Sequence, residues 1–174
     1  LCTTLLKPQT MEITMPSDKD DIKQENKSQV QTDEAITIII DKDNQIYYFE
    51  GKQQEAKLQE TAYGKEGIRK VLLKKNIKAA EQVAKLKTEM QAKFTSNPLQ
   101  AEKNKQYYKE QLSKIKNADG TPTAIIKPSD ASTYDTLIDV LDEMQNCYIG
   151  KYVIDKVSDV DRAMVKDQLG RDLE

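Results

Sequence analysis

The sequence has no histidine and no tryptophan. Without histidine, the commonest general base and metal ligand near neutral pH is missing. Carboxylate or lysine chemistry remains, but the expectation of an enzyme falls. The only two cysteines, Cys2 and Cys147, are too few for a disulfide framework or a zinc site. Cys147 continues the apolar face of a helix and reads as a small buried hydrophobe. Cys2 follows Leu1, where a lipoprotein cleavage site calls for a small residue, so that signal is not supported. No run of about 20 apolar residues occurs, which excludes a complete transmembrane helix within the chain. The start, Leu-Cys-Thr-Thr-Leu-Leu-Lys-Pro, fits the end of a membrane helix and fits an ordinary fragment boundary equally well. Net charge is −2, with lysines interspersed among acids, so no basic face invites nucleic acid.

What is present is a single domain's worth of chain. Its 174 residues are 37% hydrophobic and 32% charged, which implies a modest core carrying long solvated helices or tails. Met11, Ile13 and Met15 alternate with Glu12 and Thr14, the period of a short half-buried strand, and Pro16 stops it. Residues 17–34 are almost wholly polar and read as a linker. Ala35–Ile40 and Gln45–Phe49 are strands around the turn residues Asp41-Lys42-Asp43-Asn44, a β-hairpin. Residues 52–67 are polar and ambiguous.

Ile68, Val71 and Leu72 open a helix whose apolar stripe continues through Ile77, Val83, Leu86, Met90 and Phe94. Asn97 with Pro98 behind it starts another helix, to about Lys116. Together these predict an antiparallel helical hairpin with a solvated, charged exterior. Thr123–Lys127 is a short strand. Ser132, with Asp135 three residues on, is the expected cap of the cleanest amphipathic helix, carrying Tyr134, Leu137, Ile138, Leu141 and Met144. Gly150 suits the position after that helix, Tyr152–Val157 returns as a strand, and Ser158 with Asp159 and Asp161 begins a last, weakly amphipathic helix (Val160, Met164, Leu169).

The order predicts an α+β fold: a small mixed β-sheet with helices on one face, plus an inserted helical hairpin. Its divisions are a first segment and short strand at 1–16, a linker at 17–34, a main domain at 35–157 with the insertion at 77–122, and a C-terminal helix at 158–174. No active site emerges. Asp139, Asp142 and Glu143 read as a solvated polar side, and Asp41, Asp43 and Asn44 lack the glycine and distal glutamate of a calcium loop. No cofactor or metal is expected.

The hairpin Ile-Thr-Ile-Ile-Ile-Asp-Lys-Asp-Asn-Gln-Ile-Tyr-Tyr-Phe-Glu-Gly resembles the first hairpin of the ExbD/TolR family's periplasmic domain. So does the run from Ala124 through the Tyr134 helix and Gly150 into Tyr152–Val157, and Lys7–Pro16 resembles the segment that follows the family's membrane helix. The helical hairpin departs from shorter members and looks like a longer, Bacteroidetes-type version. The resemblance implies a homodimer anchored at the inner membrane by a helix upstream of Leu1. An ExbB-like proton-channel motor and a TonB-like energy transducer are the implied partners, or peptidoglycan in a TolR-like variant. It places the proton-carrying aspartate in the membrane helix, so no residue of this sequence takes that role. Partner binding is expected at Met11, Ile13, Met15, Ile36, Ile38, Tyr152 and Ile154, by strand addition at a sheet edge. A different reading makes the chain a coiled-coil spacer that self-associates through the hairpin.

Overall fold

Ala35–Ile40 is an unbroken run of β-branched and small residues, the composition of a strand buried on both faces. In the computed structural model, which describes residues 34–174, this run is β1 and all six of its residues are buried. It pairs antiparallel with β2 (Ile46–Glu50) and parallel with β4 (Thr123–Pro128). The turn between β1 and β2 puts Asp43 and Asn44 in the left-handed region, at φ 54° and 59°, the backbone that Asp and Asn tolerate best. β3 (Gln59–Thr61) pairs antiparallel with β2, and β5 (Lys151–Ile154) pairs parallel with β4. The sheet order is β3-β2-β1-β4-β5, mixed as expected. β3 falls in the stretch whose polar sequence gave no periodicity to read.

Among the described residues the α-helices are α1 (Ile68–Lys75), α2 (Ile77–Ala92), α3 (Pro98–Lys116), α4 (Tyr134–Asn146) and α5 (Asp159–Leu169). One sheet face, bearing Ile36, Ile38, Ile40, Ile46, Tyr48, Ala124 and Ile126, is packed by Ile68 and Leu72 of α1 and Val140, Leu141 and Met144 of α4. The α+β class with a mixed sheet holds, but the helices do not keep to one face. Ile39, Tyr47 and Phe49 point the other way and are covered by Met164 and Val165 of α5, with Leu58 and Leu173. That face was hard to read because α5 is short and its outward Val160 stays 59% exposed. Met164 and Leu169 do turn inward as expected, but they are joined by Val165 and by a buried charge that no apolar period reveals.

That charge is Asp161. It closes a capping box with Ser158 at the start of α5 and accepts from Lys127 Nζ of β4 at 2.8 Å and from Gln53 Nε2 at 2.7 Å.

Local differences have specific causes. The single long helix expected from Ile68 breaks at buried Asn76, whose side-chain amide donates to the carbonyls of Cys147 and Tyr148, both at 2.9 Å. That satisfies carbonyls the end of α4 would otherwise leave unpaired. Thr133, not Ser132, caps α4 by accepting from the Thr136 amide. Tyr148, not Gly150, takes the left-handed position after α4. Gly150 is needed for closeness instead. A Cβ there would lie 2.8 Å from Asn117 Oδ1 and 2.9 Å from the Lys116 carbonyl oxygen, where α3 ends.

Asn97 does cap α3, accepting from the amides of Leu99 and Gln100. α2 and α3 form the antiparallel hairpin.

Candidate functional site: the open edge of the sheet

A sheet of this order has two edges, and their sequences treat them differently. β3 is three residues long and polar, Gln59-Glu60-Thr61. Glu60 accepts from Arg171 at 2.9 Å and Gln59 accepts from the Tyr48 hydroxyl at 2.8 Å. Short length and charge are how natural sheets protect an edge from pairing.

β5 carries the opposite character, Lys-Tyr-Val-Ile. Beyond its end, the Asp155 amide donates to the Ile126 carbonyl at 2.9 Å, so the odd-numbered positions turn their backbone groups toward β4. By alternation, the N–H and C=O of Tyr152 and Ile154 face away from the sheet. Among the described residues no strand pairs there. Tyr152 is half-buried against the main core, while Val153 lies on the α5 side and is 51% exposed. An incoming strand would find backbone groups to bond, and apolar side chains on both faces to flank.

Of the residues expected to bind a partner, only Tyr152 and Ile154 stand on this edge. Ile36 and Ile38 are fully buried in β1, the central strand, bonded on both sides. They build the core under the edge and cannot meet a partner directly, because a β-branched strand reads alike whether it is central or marginal. Met11, Ile13 and Met15, the linker at 17–34 apart from Glu34, and Cys2 lie outside the described residues. Val153 was missed. Its alternation with Tyr152 and Ile154 was legible, but nothing in the sequence says that α5 stops short of it.

The other groups weighed for chemistry are structural. Glu143 is not solvated: it is buried on α4 and accepts from Arg69 of α1 at 2.7 and 2.9 Å. Burial, aided by nearby Glu143 and opposed by Arg69, pushes the Cys147 thiol up to about 12. Asp41 is buried and accepts from Ser129 Oγ at 2.8 Å, bracing the β1–β2 turn against the end of β4. Among the described residues no three metal-binding side chains converge, and none of their helices is long and apolar enough to cross a membrane.

The protein-family model described as "Biopolymer transport protein ExbD/TolR" matches residues 1–157. The chain belongs to the ExbD/TolR family. That carries a role in biopolymer transport of the TonB/Tol envelope type, with membrane-complex partners of the ExbB/TonB class in general. Within the match lie both edges of the ExbD/TolR sheet and the helical hairpin; α5 lies beyond it. No curated protein and no solved structure matches the chain.

Proposed function

We propose that this chain is the periplasmic domain of an ExbD-like inner-membrane protein. Working with an ExbB-like proton-channel motor, it energises a TonB-like protein for transport across the outer membrane. The role is one of binding, not catalysis. The observation that carries it is the asymmetry of the sheet: β3 is short and charged, whereas β5 offers unpaired backbone flanked by Tyr152, Val153 and Ile154.

Strand addition at β5 fits an extended, alternating segment. Met11–Met15 has that alternation, and residues 17–34 give it a tether spanning up to about 60 Å at ~3.3 Å per residue. The reading therefore includes a homodimer in which this segment docks on an edge of its own or its twin's sheet. The same edge serves an extended segment of the TonB-like partner when the segment leaves.

A photo-crosslinking residue placed at Val153 in cells tests this. Adducts with a TonB-like protein or with a second copy are expected, and a probe at Glu60 of β3 is expected to give none. Adducts from Glu60 alone would refute the assignment. Retention of the domain on purified sacculi, abolished by Val153→Asp, would point instead to a TolR-like peptidoglycan-binding role.

A further inference from the structure

The helical hairpin concentrates positive charge in a way that reading the chain in sequence order conceals. Residues 77–116 hold nine lysines and four glutamates, a net +5 within a chain at −2, so the remainder carries −7. Expected as a merely solvated face, the hairpin is the cationic pole of a strongly divided molecule.

Its apolar side chains are distributed just as unevenly. α2 buries Ala79, Val83 and Leu86, whereas α3 buries no residue. At the bend, Phe94 is 88% exposed and Leu99 is 79% exposed. Phe94 also lines, with Met90 and Tyr108, a shallow apolar groove that has Lys87 and Lys105 on its rim. Lys93, Lys103, Lys105 and Lys109 are exposed around and behind the tip; Lys93 pairs with Glu89, and Glu102 is exposed one turn beyond Leu99, so four lysines outweigh two glutamates there.

We propose that the hairpin tip docks on an anionic lipid bilayer, inserting Phe94 and Leu99 at the headgroup level while the lysines meet lipid phosphates. An apolar point set in a cationic collar is the pattern of interfacial membrane contacts, in which partial burial of aromatic and aliphatic residues adds to attraction by anionic lipid. Charge argues against the other occupants. Two hairpins at +5 repel each other, and α3 has no helix-long outward apolar stripe for a coiled coil to use. A polysaccharide would leave Leu99 and Met90 without apolar surface to cover.

The inference draws on the family reading only for a bilayer within reach. Substitutions in the hairpin leave the β5 edge intact, so failure of one reading is distinguishable from failure of the other.

Co-sedimentation of the purified 174-residue chain with vesicles tests it. Binding is expected to phosphatidylcholine vesicles containing about 30% phosphatidylglycerol, to be at least about tenfold weaker on pure phosphatidylcholine, and to fall as salt rises. Phe94→Asp and Leu99→Asp are each expected to cut binding about tenfold with unchanged thermal unfolding, since both sites are solvent-facing. Lys105→Glu should weaken binding to the anionic vesicles alone. Equal binding to both vesicles, no binding, or binding untouched by both tip variants would overturn the proposal. So would a dimer that forms without lipid and dissociates in Phe94→Asp, which would seat a second copy on the tip.

Discussion

Asp161 shows how one buried carboxylate can organise a face of the sheet. Burial alone would raise its pKa, but hydrogen bonds from Lys127 and from the Ser158 amide and hydroxyl outweigh that and hold it below its ordinary value of 3.8. A carboxyl depressed on folding contributes stability above its unfolded pKa, and that contribution disappears as pH falls through the folded value. The α5 contact is therefore intact at neutral pH and weakens only below about pH 4. Asp161→Asn should cost about 3 kcal/mol in urea unfolding at pH 7, because it strands a largely buried Lys127. The double variant Asp161→Leu/Lys127→Met should cost less than Asp161→Asn alone, since no charge is left unpaired. A double variant as unstable as Asp161→Asn would mean that packing, not charge, dominates the site. At the same scale, the raised Cys147 thiol should resist alkylation at pH 8 in a Cys2→Ser background and react once denatured. Fast native labelling would show that the α4 end opens readily.

Among the elements, the strands were the most legible. The β-branched run of β1, the turn at Asp43-Asn44 and the caps at Asn97 and Ser158 each carry a local signal that tertiary structure did not override. What stayed hidden depended on long-range contacts. β3 is polar because it is an edge, so it shows no hydrophobic period. The break at Asn76 exists because its amide reaches Cys147 and Tyr148, 71 and 72 residues away. Gly150 was read as a helix terminator when its role is the approach to Lys116 and Asn117. Gly150→Ala should accordingly destabilise the domain by about 1–3 kcal/mol. A melting temperature equal to that of the parent would show that the α3–β5 junction has slack. α3, which buries no residue, should exchange its amides at least about a hundredfold faster than β1. Equal protection would mean the hairpin is tied to the sheet far more firmly than its packing implies.

For the whole molecule, the function follows from division of labour. β1 lies at the centre of a two-faced core, α1 and α4 cover one side, and α5 covers part of the other. One edge is closed by charge and one is left apolar. The sequence carried the family and the segment order, yet it could not say which strand would be marginal. Ile36 and Ile38 look as suited to an interface as Tyr152 and Ile154 do, and only the sheet order separates core from edge. Under the proposed function, β5 is the accepting edge. The most direct measurement is amide hydrogen exchange at Tyr152 and Ile154 in the 174-residue chain, compared with a variant carrying Met11→Asp, Ile13→Asp and Met15→Asp. If the segment docks there, both amides exchange at least about tenfold more slowly in the parent, while Glu60 is unaffected. Identical rates at Tyr152 and Ile154 in the two proteins, or protection appearing at β3 instead, would contradict the account.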